Sequence, residues 1–378
     1  MRVAIATETD NGETRVAASP ETIRKLVGLG ANVAVQAGAG LRAGVPDADF
    51  AKAGAEIAAD AAATLQGADI VLAVRRPGAA KLKRVAPGAL VLAIMDPYGH
   101  DAELAGLAKA QVQAFAMELM PRITRAQSMD VLSSQANLAG YRAVLDGAAA
   151  YGRALPMMMT AAGTVPAARV FVMGVGVAGL QAIATARRLG AIVTATDVRP
   201  ATKEQVESLG AKFIAVEDDE FKQAETAGGY AKEMSAEYRA KQAALVASHI
   251  AKQDIVITTA LIPGRPAPRL VDAAMVASMR PGSVLVDLAV ERGGNVEGAE
   301  SGKTVGQGGI TIVGDSSALR LASSASQLYA KNLVTFVETL IDKDARKVSV
   351  NYDDELVKAT LLTRDGAVVH PNFQPKSA

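Results

Sequence analysis

The sequence of 378 residues has no cysteine, which removes the disulfide framework, the thiolate nucleophile and the zinc–thiolate site in one step. That usage suits a reducing cytoplasm. Aromatic residues make up only 4% of a chain that is 50% hydrophobic, so aliphatic side chains must fill the core. Histidine is also scarce. His100, His249 and His370 are scattered, with no carboxylate spaced as a metal partner, and each reads as a surface or capping residue. No G-x-S-x-G or H-E-x-x-H motif is present. Neither sign of charge prevails: 40 basic against 39 acidic residues leave a net charge of +1, which gives no footing for nucleic acid or an anionic surface. Long apolar runs are missing too. The longest stretch free of charged residues, Val170 to Ala186, is too short and too rich in glycine for a membrane span. The N-terminus begins as a strand and lacks the charged-then-apolar pattern of a signal peptide. A soluble chain is expected, with any membrane association made through a partner.

What is present is concentrated between Arg169 and Asp197. An apolar strand, Val170 to Met173, runs into Gly174-Val175-Gly176-Val177-Ala178-Gly179, followed by a helical run from Leu180 to Leu189 and a second strand, Ile192 to Thr196, that ends on Asp197. Each part has a physical task in a dinucleotide site. Gly174 permits a tight strand-to-helix turn. Gly176 lets a pyrophosphate approach the backbone. Gly179 lets the helix pack closely on the strand. The helix N-terminus offers free N–H groups and a partial positive charge to phosphates. Asp197 is placed to accept hydrogen bonds from a ribose diol and to repel a 2′-phosphate, so NAD(H) should be preferred to NADP(H).

The length suggests two domains, or possibly three. Strands are expected at Arg2 to Ala6, Asn32 to Gln36, Glu56 to Ala58, Asp69 to Val74, Ala89 to Met95 and Gln113 to Ala116, with helices at Pro20 to Leu29 and around Phe50 to Ala53. Strands alternating with helices imply a largely parallel sheet. The alanine- and leucine-rich, proline-free stretch from Ser128 to Arg153 reads as a long helix into a second domain. There, six further strands are expected: at Val170, Ile192, Lys212 to Val216, Asp254 to Thr259, Ser283 to Leu288 and Ile310 to Val313. A helix from Ser323 to Ile341 would return the chain, and the tail from Lys347 to His370 reads as strands around Arg364-Asp365-Gly366. The expected fold is α/β, with two doubly wound Rossmann-like domains (1–132 with 321–378, and 133–320) joined by two long helices around a cleft. Between Val216 and Asp254 lie 37 residues, acidic at first and then carrying Ala227-Gly228-Gly229-Tyr230. Their polarity and Gly-Gly hinge suggest a mobile lid, or else a surface loop. Met157-Met158-Met159 is expected to pack in the core beneath the second domain.

Several stretches together resemble the NAD(H)-binding component of proton-translocating nicotinamide nucleotide transhydrogenases: ETRVAASPETIRKL, AMELMPRITRAQSMDVLSSQANLAGYRAVLDGA, PMMMTAAGTVPAARV, GVGVAGLQAIATARRLGA, DVRPATKEQVESLGAKF, ETAGGYAKEM, TTALIPGRPAP and PGSVLVDLAVERGGN. The segment Met117 to Arg142 is the most specific, because no general requirement of the fold dictates MPRxxRAQSMD. The alanine dehydrogenases share the fold and the glycine fingerprint. The resemblance implies direct hydride transfer from NADH bound here to NADP⁺ bound on a partner subunit, coupled to proton movement through a membrane-spanning subunit. It also implies a homodimer, a soluble polypeptide in a split-subunit arrangement, and a cytoplasmic location, peripheral on the inner membrane.

The resemblance further assigns Arg122, Gln127, Asp130 and Ser133 to the nicotinamide side. An Arg can orient and polarise, a Gln can pair with a carboxamide, an Asp can anchor the Arg, and Ser133 can bond the carboxamide. Ser128 with Asp130 could equally favour a helix start. The glycines with Val175, Val177 and Ala178 carry over as phosphate contacts, and Asp197, Val198 and Arg199 as adenosine-side contacts. Gly229 and Tyr230 carry over to the lid, Gln242 to the adenine side and Leu261 to the nicotinamide side, although buried polar packing for Gln242 and core packing for Leu261 fit as well. The alternative is an alanine dehydrogenase. It is disfavoured by Arg75 where that family's Lys is expected, by Ile94-Met95-Asp96 with no histidine before His100, and by Glu291 where its Asp would lie. Arg15 resembles a substrate-carboxylate arginine but occurs in both groups.

Overall fold

A computed structural model describes residues 1–222, 234–262, 264–315 and 318–374 of the chain, which divides into two compact units, 1–135 with 319–378 and 136–318.

In the first unit six parallel strands form one sheet: β1 (Arg2–Ile5), β2 (Asn32–Gln36), β3 (Glu56–Ala58), β4 (Ile70–Arg75), β5 (Leu90–Ile94) and β6 (Gln113–Ala116). Their order across the sheet is β3-β2-β1-β4-β5-β6. Side chains alternate across a pleated strand, so a strand covered on both faces reads as a continuous apolar run. In β4, Ile70, Leu72 and Val74 enter one core while Val71 and Ala73 enter the other. Leu90 and Leu92 against Val91 and Ala93 repeat the division in β5. The helices Pro20–Gly28 and Ala322–Val337 supply the first core with Ile23, Leu26, Leu333, Val334 and Phe336. The helix Asp101–Lys109 supplies the second with Leu104 and Leu107.

The second unit opens with an antiparallel hairpin, β7 (Met158–Thr160) and β8 (Gly163–Val165). Its main sheet comprises β9 (Arg169–Met173), β10 (Ile192–Thr196), β11 (Lys212–Phe213), β12 (Ile255–Thr258), β13 (Val284–Asp287), β14 (Thr304–Gln307) and β15 (Ile310–Val313). The order is β11-β10-β9-β12-β13-β15-β14, with β14 alone antiparallel. The first six positions repeat the doubly wound order of the first unit. Val170, Val172, Ile255 and Ile257 face one core, and Phe171, Met173 and Val256 face the other.

Several expectations are corrected. The sheet has seven strands rather than six, because Thr304–Gln307 adds an edge. Its TVGQ sequence lacks the apolar signal of a buried strand. The long helix covers Val131–Ala150, since Thr124–Met129 forms a 3₁₀ turn before it. The returning helix ends at Val337, and Ile341 belongs to a short antiparallel pair, Ile341–Asp342 with Lys347–Val348. The tail contains a helix, Glu355–Thr360, capped by Asp354, before the expected hairpin at Arg364-Asp365-Gly366. The methionine trio is not core: Met157, Met158 and Met159 are 58%, 42% and 81% exposed. In a two-residue-period hairpin with no layer over it, neither face is buried.

Candidate functional site

In an open α/β sheet, ligands bind beyond the carboxyl ends of the strands where the strand order reverses. In the second unit that place lies between β9 and β12. The chain leaves β9 through Gly174, whose φ of +101° is accessible to glycine at little cost. Gly174 N–H donates to the Thr196 carbonyl at 2.9 Å, and its own carbonyl accepts the Thr259 hydroxyl at 3.0 Å. The turn is thereby tied to the ends of β10 and β12. The helix Val177–Arg188 follows, with Gly176 as its N-cap. Gly179 packs on the turn so closely that a Cβ there would overlap the Gly174 carbonyl. Gly140, on the helix Val131–Ala150, meets the Ala178 carbonyl in the same way. Gly176 differs: its φ is −80°, and a Cβ built on it meets nothing within 4 Å. No neighbour within the protein requires glycine there. The backbone N–H groups of this first turn lack helical acceptors and point where an anion is welcome.

Asp197, just past β10, turns its carboxylate back to the glycine turn. Oδ2 accepts the Val175 N–H at 2.7 Å. Arg199 grips the same carboxylate, Nε donating to Oδ1 at 2.9 Å and Nη2 to Oδ2 at 3.0 Å. Val177, Val198, Leu261 and Ile262 are exposed apolar side chains at this carboxyl edge, 39%, 52%, 53% and 46% exposed. Exposure removes the core-packing reading of Leu261. Gln242 spends its amide within the unit: Oε1 accepts the Val216 N–H at 2.9 Å and Nε2 donates to Thr196 Oγ1 at 3.2 Å. Two residues that sequence reasoning passed over hold the β12 end in place. Thr259 clamps Gly174, and Asn295 accepts the Ala260 N–H at 3.0 Å while donating to the carbonyls of Ala260 and Pro268. The DLAVERGGN stretch contained this asparagine, but a bond to a distant loop leaves no local pattern. Gly229 and Tyr230, with most of the expected lid, lie outside the described residues.

The Met117 to Arg142 segment belongs to the first unit as far as Gln135. Arg122 and Gln127 are exposed. Asp130 immediately precedes the long helix and gives both carboxylate oxygens to Ser133, accepting its N–H at 2.9 Å and its hydroxyl at 2.5 Å. This is the helix-start arrangement, and among the described residues Asp130 forms no ion pair with Arg122. Asn332 fastens the 3₁₀ turn by donating to the Ser128 carbonyl at 2.8 Å.

The strand ends of the first unit carry a buried charged network. Glu13 is 1% exposed and accepts from Arg15 Nε at 2.8 Å, Arg15 Nη2 at 2.7 Å and Arg75 Nε at 3.0 Å. Arg15 Nη1 donates to Gln135 Oε1 at 2.9 Å. Burial alone would raise the Glu13 carboxyl, but the bonds and charge of Arg15, aided by Arg75, hold it below the usual carboxylate range. Glu8 and Glu118 go the other way. Burial raises both, although Glu8 accepts the Val74 N–H at 2.6 Å and Glu118 accepts the N–H groups of Met95 at 3.1 Å and Asp96 at 2.5 Å. No set of three metal-ligating side chains exists among the described residues, and no described helix is long and apolar enough to cross a membrane.

Comparison with known proteins gives concordant matches. The family model for the N-terminal domain of alanine dehydrogenase/PNT matches residues 4–139, and that for the C-terminal domain matches residues 143–371. The first of the separate polypeptides that make up NAD(P) transhydrogenase subunit alpha in Rhodospirillum rubrum is 56% identical, with all of both chains covered. The crystal structure of a transhydrogenase from Sinorhizobium meliloti superposes with a TM-score of 0.89 at 63% identity, covering 98% of this chain and 100% of that one. An alanine dehydrogenase of Halomonas elongata is 31% identical over 98% of this chain and 95% of its own.

Proposed function

The chain belongs to the alanine dehydrogenase/PNT family, and from that footing we propose that it is the NAD(H)-binding component of a proton-translocating transhydrogenase. The observation that carries the reading is Gly176. It has an ordinary backbone conformation and open space around it, so its lack of a side chain serves something that comes from outside the protein. At a helix N-terminus beside a carboxylate at the end of the next strand, that is the pyrophosphate of a dinucleotide.

Hydride transfer between two nicotinamides needs no proton to be given or taken by the protein. The C4 hydrogen leaves the reduced ring with both bonding electrons and lands on C4 of the oxidised ring. The protein's role is to hold the rings in contact and to exclude water. Within this reading the glycine turn holds the phosphates, Asp197 the adenosine ribose, and Arg122, Gln127 and Ser133 the carboxamide end, with Asp130 setting the start of the helix that carries Ser133. Gly229 and Tyr230 close over the nucleotide. NADP(H) binds on a partner subunit, and a membrane-spanning partner couples transfer to proton movement. The Rhodospirillum rubrum relative, named as one piece of a divided subunit alpha and matched over its whole length, supports a split arrangement in which this chain is a homodimer docked on the cytoplasmic face. The arginine that would capture a substrate carboxylate in an amino-acid dehydrogenase, Arg15, has its fork committed to Glu13 and Gln135, which weighs against that chemistry.

Reconstitution tests the reading. Mixed with an NADP(H)-binding component, the chain should support reduction of an NAD analogue by NADPH, and alone it should support neither this nor alanine oxidation. Robust NAD-dependent formation of pyruvate from alanine by the purified chain would reject it.

A further inference from the structure

The carboxylate of Asp197 is already filled by its own chain. Oδ1 accepts the backbone N–H of Arg199 and its Nε, both at 2.9 Å. Oδ2 accepts the Val175 N–H at 2.7 Å and Arg199 Nη2 at 3.0 Å. A carboxylate presents about four lone-pair positions, and these four donors take them all. Two are backbone groups fixed by the fold, and two belong to a side chain that can rotate away. Arg199 also reaches the Val175 carbonyl at 3.3 Å, so its guanidinium lies across both the acid and the first residues of the glycine turn. The Asp197 side chain is consequently 7% exposed, against 29% for that of Arg199.

We propose that Arg199 is an internal competitor for the ribose-binding acid: its fork occupies the two acceptor positions on Asp197 that the adenosine ribose diol of NAD(H) would use, and dinucleotide binding displaces it. The inference rests on the dinucleotide site proposed above and adds a residue that sets its affinity. A site that is competent only when a resident group has moved binds its ligand more weakly by the fraction of time it is open. The backbone N–H groups of Val175 and Arg199 stay on Asp197 throughout and keep the carboxylate oriented while the side chain exchanges for hydroxyl groups.

The test uses the full-length chain and equilibrium binding followed by nucleotide fluorescence, with three probes: NADH, NADH with a 2′-deoxy adenosine ribose, and reduced nicotinamide mononucleotide. Arg199→Lys keeps the charge, and with it the general attraction for phosphates, but cannot form the planar fork. It should tighten NADH by about threefold to fivefold. Arg199→Ala should do the same by freeing the acid altogether. The 2′-deoxy analogue should gain less in both variants, so that discrimination for the diol widens, and the mononucleotide should be unaffected. NADH affinity that is equal or weaker in Arg199→Lys, or a mononucleotide affinity that moves with that of NADH, would overturn the proposal. Failure of the wild-type chain to bind NADH at all would remove the site itself, which distinguishes that failure from the failure of the competitor.

Discussion

Gly174, Gly176 and Gly179 are kept side-chain-free by three different neighbours. Gly174 answers to its own backbone angle, Gly179 to the Gly174 carbonyl, and Gly176 to nothing in the chain. Substitution separates them. Gly179→Ala forces the helix off the turn and should cost about 1–3 kcal/mol of stability, read as a lower melting temperature. Gly176→Ala should melt within the scatter of wild type and lose NADH affinity by at least about tenfold in a fluorescence titration. A Gly176→Ala protein that binds NADH normally would remove the argument for a phosphate at this turn. The three glycines could be read from sequence because a fingerprint is a pattern of exceptions within a short window. The partners of Asp197 and Asp130 could not. Either acid can cap, pair or bind, and which it does depends on where the neighbouring chain folds: Arg199 curls back on Asp197, and Ser133 takes both oxygens of Asp130.

The helix Val131–Ala150 begins at a residue to which two tasks are assigned, and its sequence shows how far local signals go. As an N-cap, Asp130 contributes about 1 kcal/mol, which Asn can retain and Ala cannot. Asp130→Ala should therefore lower stability by about that amount, and Asp130→Asn by a few tenths. Arg122 is exposed, so Arg122→Ala should leave melting within about 0.5 kcal/mol of wild type. If Arg122 positions the nicotinamide, the same variant should slow reconstituted transfer by roughly a hundredfold while changing NADH affinity far less. Equal losses in both would mean that it only holds the nucleotide. Elements with a strong period declared themselves: Asn32–Gln36, Glu56–Ala58 and Gln113–Ala116 fall where apolar alternation and flanking glycines place them. Those missed were short or decided by tertiary context. The helix Glu355–Thr360 is a turn and a half of mixed residues, β14 pairs as an edge strand without an apolar stripe, and the β7–β8 hairpin carries methionines whose hydrophobicity suggested a core that no layer provides.

Across the whole molecule one strand order is used twice, and its reversal point is spent differently each time. In the second unit it holds a glycine turn with open space. In the first it holds ionisable side chains, and these make the stability of that unit depend on pH. Burial raises the carboxyls of Glu118 and Glu8, with Asp96 adding repulsion at Glu118 and Glu13 at Glu8. A carboxyl whose folded value lies above its unfolded value binds its proton more tightly in the native state. Its stabilisation is therefore complete below the ordinary carboxylate range and is lost as pH rises through the raised folded value. Glu13, held low by Arg15 and Arg75, has the opposite sign and loses its contribution as pH falls through its depressed value. Glu118→Gln isolates one contribution. The amide offers one acceptor where the carboxylate offers two, so either the Met95 or the Asp96 N–H loses its partner, a fixed cost of about 1 kcal/mol at acid pH. Because glutamine cannot ionise, the variant escapes the penalty that wild type incurs as pH rises. Melting curves taken from the ordinary carboxylate range up to about pH 8 should show the variant starting below wild type, gaining on it through the window just above that range, and running parallel once Glu118 is fully ionised. A gap that stays constant with pH would mean that Glu118 titrates no differently in the folded chain than in the unfolded one. A gap that widens as pH rises would mean that its bonds to Met95 and Asp96 outweigh burial, giving Glu118 the sign of Glu13.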